Sequence, residues 1–439
     1  MKVVYVGDNR NRGNYGCRGT STALSQLIAK NNQIVGRISG RYTNFDTGEI
    51  YFVQGKNKQF YEKKQHHKYW NYERKLLYMF HRFEDRGGKY WLGKHDFATL
   101  NFDQCISNLI DCLPANPFLK EFDLRRYNFD ALVVNGEGSF IFATPAWRES
   151  VVEAMEMYWA KKMGKKVFYL NGMLSDDPHS AHNQATVDAM KPLFNRCDGF
   201  CVRENESLDY VNKYFPEVEA QVFPDALFTW YDIVNDDHKI ENGKYYIPRT
   251  AECDEAYYEF DFTKPYACIS GSSALIGVCQ GDMSMAVRVY SRLVNKAKEK
   301  LGVNIYLIQV DEGDEFLQEV GKVTKTPVIS METPLIPAAK ILANSRVYIS
   351  GRYHPAIMAS LGGTPCVFMS SNSHKTGSLQ DLLQYDERKE FNLLPTEEEC
   401  DAIIDQAISK MTQSGLREKI QMRAFELNIK AQGLADIIK

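Results

Sequence analysis

The chain has 439 residues, 44% of them hydrophobic, and a formal net charge of −3 at neutral pH. That length exceeds what one hydrophobic core usually spans and predicts two domains, while the slightly acidic balance excludes a generally basic nucleic-acid-binding surface. The N-terminus enters Lys2-Val3-Val4-Tyr5-Val6 without the apolar region of a signal peptide, and no apolar run approaches the ~20 residues that span a bilayer, so a cytoplasmic location is expected, extending to the inner face of the cell membrane.

In the first half, strand-like runs at Val3–Val6, Ile34–Ile38, Ala131–Asn135, Lys166–Leu170, Gly199–Val202 and Ala220–Phe223 alternate with segments of helical apolar spacing at Thr20–Ala29, Glu149–Met163 and Glu204–Tyr214. Repeated strand-then-helix order predicts a doubly wound parallel sheet. A polar stretch at 232–263 marks a linker between an N-terminal domain at 1–231 and a C-terminal domain at 264–439. The alternation restarts there with Tyr266–Ser270, Ser284–Lys300, Val303–Val310, Pro334–Leu342, Val347–Ser350 and Pro365–Met369. The fold class expected is α/β, two Rossmann-like domains facing a central cleft. The last helical segments, Glu397–Met411 and Leu416–Ile438, either close the second domain or cross back over the first.

A basic segment, Lys56–His95, interrupts the first domain with 11 Lys/Arg against 4 acidic residues and interleaved Tyr and Trp. Such a surface attracts anionic glycans or lipid headgroups, and it equally fits a solvated helical insertion docked by its aromatics. The ten cysteines are scattered without a CxxC pair, which predicts reduced thiols and no metal site, even where Cys197 and Cys201 lie close together.

Chemistry-bearing residues concentrate where predicted strands end, the place at which open parallel sheets bind ligands. After the first strand, Gly7 to Thr20 forms a Gly-rich turn ahead of a helix, whose backbone can closely approach a ligand, though any irregular strand-to-helix connection also uses Gly and Asn. Asn135-Gly136-Glu137-Gly138-Ser139 places Glu137 at a sheet edge as a candidate base, with Gly136 and Ser139 beside it; a helix-capping role fits Glu137 equally. Arg203 follows the strand Gly199–Val202, and Asp225 ends the first domain. In Ser350-Gly351-Arg352-Tyr353-His354, Arg352 and His354 are placed on the turn before a helix over Ala356–Leu361. There, free backbone N–H groups reinforce their charge toward a phosphate or carboxylate.

In this order the segments resemble the polysaccharide pyruvyl transferase family. The strongest part runs from Gly351-Arg352-Tyr353-His354 through Gly363-Thr364-Pro365 to Ser373-His374-Lys375-Thr376. Two departures stand out: the Gly-Asp often found in the first turn is Gly16-Cys17 here, and a glycine of the family's Gly-rich strand end is Glu137. The resemblance implies a GT-B-like architecture and transfer of pyruvate from phosphoenolpyruvate to two hydroxyls of one sugar in a bacterial capsule, exopolysaccharide or lipopolysaccharide; the local positive charge of Lys56–His95, and that alone, points to an acidic acceptor such as Kdo.

On that reading Arg203, Arg352, His354 and Lys375 bind the donor, and His354, Glu137 and Asp225 are the catalytic candidates. Asn14, Tyr15, Gly16, Gly136 and Ser139 meet a glycan or lipid-linked acceptor. No cofactor beyond phosphoenolpyruvate as co-substrate is expected, and peripheral membrane association follows if the acceptor is lipid-linked. The alternatives at this stage are a nucleotide-sugar glycosyltransferase and a non-catalytic glycan-binding protein.

Overall fold

The computed structural model describes residues 1–39, 97–113, 117–178, 180–238, 240 and 260–438. The basic segment Lys56–His95 lies outside the described residues. The first sheet has strand order β2-β1-β3-β5-β7-β8, with β1 Lys2–Asp8, β2 Gln33–Ser39, β3 Ala131–Asn135, β5 Lys166–Gly172, β7 Gly199–Val202 and β8 Ala220–Val222. Every pairing in it is parallel. A two-stranded extension, β4 Phe140–Ile141 with β6 Leu174–Ser175, continues beyond it. Runs such as Val3-Val4-Tyr5-Val6 are fully buried because helices cover both faces of a parallel sheet.

The second sheet is also parallel, in the order β11-β10-β9-β12-β13-β14, with β9 Tyr266–Ser272, β10 Asn304–Ile308, β11 Val328–Ile329, β12 Tyr348–Gly351, β13 Cys366–Met369 and β14 Glu390–Phe391. In each sheet the chain reverses its direction of strand addition beside the first strand, between β1 and β3 and between β9 and β12. Such switch points open crevices at the strands' carboxyl ends.

Helix α1, Tyr15–Asn31, starts where the Asn14 side chain accepts from the N–H groups of Gly16 and Cys17. Helix α2, Tyr353–Leu361, begins three residues before the predicted start. Arg352 is its N-cap and His354 lies in its first turn, where Pro355 is tolerated because first-turn N–H groups need no intrahelical partner. Helix α3, Lys375–Leu382, follows β13. The sequence reading also missed helices at Phe102–Cys112, Gln184–Phe194 and Phe316–Thr324, and the two-residue edge strands β11 and β14, too short to carry a period.

Of the two terminal segments, Glu397–Thr412 closes the second domain against Ser284–Lys300 and β13, and the last one crosses back to the first domain. Helix α4, Leu416–Gln432, packs on the 3₁₀ segment Ala226–Trp230. The Lys30 ammonium donates to Gln432 at 2.5 Å, and Ile437 lies against Gly199. One hydrophobic core therefore runs from Val3 and Tyr5 through Leu227 and Leu427 into the second sheet, and it holds the two crevices face to face.

Candidate functional site

Between the two switch points lies a cavity of about 90 Å³ lined by Asn14, Cys17, Glu137, Gly138, Arg203, Ser273, Val310, Arg352, Tyr353, His354, Pro355 and Lys375. Its residues come from the exits of β1, β3 and β7 on one side and of β9, β10, β12 and β13 on the other. Glycine makes the approach of the two walls possible. A Cβ on Gly16 would stand 2.6 Å from both Cβ and Nδ1 of His354, so any larger residue there would push the histidine aside.

Arg203 is among the most buried side chains, at 1% exposure. Its Nη1 donates to Asp225 at 3.1 Å, its Nε to Glu204 at 3.3 Å, and its guanidinium lies 4.4 Å above the Tyr353 ring. Glu204 also accepts from Ser207 and meets His374 of the second domain at 3.3 Å. Arg352 donates from both terminal nitrogens to Asp311, at 2.6 and 2.8 Å, and from Nη2 to Asp314 at 2.6 Å, while its Nε is buried without a partner among the described residues.

Lys375 donates to Asn372 at 2.6 Å and has no carboxylate within ion-pair reach among the described residues. Burial, and then the charges of Arg203 and Arg352, bring the Lys375 ammonium down to about 8. Burying an unpaired guanidinium costs several kcal/mol, so the fold supplies both cavity arginines with carboxylates, leaving Lys375 as the cavity cation without a carboxylate partner among the described residues.

Asp225 is fully buried behind His354. It accepts from Thr20 at 2.7 Å, the Leu227 N–H at 2.9 Å, Arg203 at 3.1 Å and His354 Nε2 at 3.2 Å. Burial opposes its ionisation, but His354, Arg203 and Thr20 outweigh burial and hold the carboxyl well below the ordinary range. Asp225 does not line the cavity, and its bond to Nε2 leaves Nδ1 as the ring nitrogen without a hydrogen bond among the described residues.

Glu137 does line the cavity. It accepts from Asn9 at 2.5 Å and adopts φ of 29°, left-handed backbone that costs a non-glycine residue roughly 1–3 kcal/mol. Burial is again outweighed, here by His354, Arg12, Cys17 and Asn9, so the Glu137 carboxyl is lowered. Cys17 touches it, and burial together with Glu137 pushes the thiol up, which keeps it protonated.

Of the residues offered to an acceptor, Asn14 lines the cavity and Gly16 admits His354, but Tyr15, Gly136 and Ser139 stand behind the lining. Tyr15 is buried between the domains with its hydroxyl donating to the Ser330 carbonyl. A Cβ on Gly136 would overlap the Tyr169 ring, and Ser139 donates to Glu153 at 2.7 Å.

A sequence profile of the polysaccharide pyruvyl transferase family matches residues 46–373, about three quarters of the chain and every cavity residue outside the first strand exit and Lys375. The chain belongs to the polysaccharide pyruvyl transferase family. Membership makes it a transferase family protein and implies a polysaccharide acceptor. No curated protein matches significantly.

Among solved structures, UDP-GlcNAc 2-epimerase from Neisseria meningitidis bound to UDP-GlcNAc is 13% identical with a TM-score of 0.54, over 100% of this chain and 98% of that one. UDP-GlcNAc 2-epimerase from Methanocaldococcus jannaschii is 10% identical, TM-score 0.49, over 94% of each chain. Spinosyn rhamnosyltransferase SpnG complexed with spinosyn aglycone is 11% identical, TM-score 0.45, over 99% of each. The first likeness carries the fold: two Rossmann-like domains in a GT-B-like arrangement.

Sequence reading missed Asp311, Asp314, Tyr353 and Ser273. Asp311 directly follows the predicted strand Val303–Val310 and Ser273 follows β9, so the strand-exit rule, applied to every strand, would have found both. Among the described residues no group of three or more His, Cys, Asp or Glu is arranged to hold a metal ion, and no helix is long and apolar enough to cross a membrane.

Proposed function

We propose that the protein transfers pyruvate from phosphoenolpyruvate to two hydroxyls of one sugar of a bacterial surface polysaccharide, closing a cyclic ketal and releasing phosphate. The observation that carries this reading is the inter-domain cavity. At about 90 Å³ it is on the scale of a three-carbon metabolite and far below the roughly 300–1,000 Å³ of pockets that enclose larger ligands such as a nucleotide sugar. Lys375, Arg203 and Arg352 supply charge-assisted donors to the phosphate and carboxylate, and the α2 N-terminus adds backbone N–H groups.

His354 delivers a proton to the methylene carbon as the first acceptor oxygen attacks the central carbon. Loss of phosphate leaves an oxocarbenium-like centre, and the ionised Glu137 facing the cavity stabilises it until the second hydroxyl closes the ring. Of the two hydroxyl protons, one replaces the proton given to the methyl group and the other leaves with phosphate. Asp225, set behind the ring, orients His354 rather than meeting the substrate. No step calls for a metal, so turnover is expected to persist in excess EDTA.

The test incubates the protein with phosphoenolpyruvate and a panel of capsule and lipopolysaccharide sugars, Kdo included, and follows inorganic phosphate and ketal formation. Phosphate release that depends on both substrates is expected. Turnover of a nucleotide sugar with nucleotide release, and none of phosphoenolpyruvate, overturns the reading in favour of glycosyl transfer.

A further inference from the structure

Arg352 carries more carboxylate than it needs. A guanidinium takes a carboxylate end-on through its two terminal nitrogens, and Asp311 occupies that edge with bonds of 2.6 and 2.8 Å, while Asp314 shares Nη2 at 2.6 Å. The two acids are not held alike. The Asp314 side chain is completely buried and accepts the Val310 N–H at 3.2 Å. Its place is built into the sheet, because a Cβ on Gly271 would stand 2.2 Å from its Oδ1.

The Asp311 side chain is 22% exposed and heads a 3₁₀ turn, Glu312–Asp314, with no capping bond of its own. Apart from Arg352, its side-chain partner among the described residues is Asn14, which donates at 2.9 Å from the opposite domain. Two carboxylates on one guanidinium repel each other, so the less enclosed one yields to an incoming anion at lower cost.

We propose that Asp311 is a built-in stand-in for the donor's carboxylate, occupying its edge of Arg352 in the empty enzyme and displaced when the donor binds, so that it sets donor affinity. This rests on the donor assignment above. Displacement also releases Asn14, which lines the cavity on the acceptor side, and so links donor arrival to the opposite wall.

The test is calorimetric titration of phosphoenolpyruvate and, separately, inorganic phosphate into wild type, Asp311→Asn and Asp314→Asn, without acceptor. Asp311→Asn keeps the side chain's size and removes the competing charge. It is expected to bind phosphoenolpyruvate about tenfold more tightly, with a smaller gain for phosphate, which has no carboxylate to place on Arg352. Asp314→Asn, which loosens Arg352, is expected to bind phosphoenolpyruvate more weakly. Unchanged or weaker binding by Asp311→Asn overturns the stand-in, and so do equal gains for both ligands, which charge removal alone would give. Phosphoenolpyruvate binding by none of the three overturns the donor assignment itself.

Discussion

Arg203 and Arg352 reach one cavity from opposite domains, both buried at strand exits, yet they are held in different ways. Arg203 shares Asp225 with His354 and lies on the Tyr353 ring, so its charge is spread through a network that includes the proposed acid. Arg352 is gripped by two carboxylates of one short turn of its own domain. The difference teaches that a site for a small anion is not an open cluster of cations. It is a set of ion pairs arranged so that some partners are permanent and others exchangeable.

Removing Arg352 should have the largest effect. Arg352→Ala leaves Asp311 and Asp314 facing each other across an emptied space, so turnover should vanish and stability fall by about 3–5 kcal/mol, read from urea denaturation midpoints. His354→Ala separates the two roles. Its kcat should fall about 10²–10⁴-fold in a chain that still unfolds cooperatively, though at a lower midpoint because Asp225 loses a partner, and a kcat within a few-fold of wild type would remove His354 as the acid. Asp225→Asn tests the network around Arg203. The amide should misorient His354, lowering kcat more than it raises KM for phosphoenolpyruvate, and a change confined to KM would make Asp225 part of donor binding instead.

How much of this was legible in the sequence follows the range of the interactions. Strands and their exits are local, so Arg203, Arg352, His354 and Glu137 were found from apolar runs ending in polar residues. The error at α2 was also local: Pro355 hid a helix start that it in fact permits. The partners were not legible because topology supplies them. Asp311 and Asp314 reach Arg352 only because β10 and β12 flank β9, and Gly16 meets His354 only because the two switch points oppose each other. Tyr15 and Ser139 sat in the right segments but turn into the interior, a direction that strand-exit position alone does not fix.

The unneutralised cation gives a smaller effect with a defined pH. Lys375 is charged below about 8 and neutral above it. The kcat/KM for phosphoenolpyruvate should therefore decline as pH rises through that value, approaching tenfold per pH unit beyond it, because this ratio reports the free enzyme. Lys375→Arg should move the decline out of the range. A flat profile in wild type would place Lys375 outside the donor site.

The smallest effect sharpens the contrast from the side of Arg352. Burial, followed by repulsion from Asp311 and opposed by Arg352, brings the Asp314 carboxyl up to about 7 from an ordinary 3.8. An acid raised on folding binds more protons in the native state than in the unfolded chain between those values. Its contribution to stability is complete below about 3.8 and is lost as pH climbs toward 7. Asp225, lowered on folding, acts in the opposite sense, adding stability above 3.8 that is lost only as pH falls below it. Asp314→Asn should thus flatten the decline in urea-determined stability between pH 4 and 7, while Asp311→Asn, by removing the repelling charge, should shift that decline to lower pH. An unaltered pH slope in both variants would mean that the two acids do not compete for Arg352, and the distinction between permanent and exchangeable partners would fail with it.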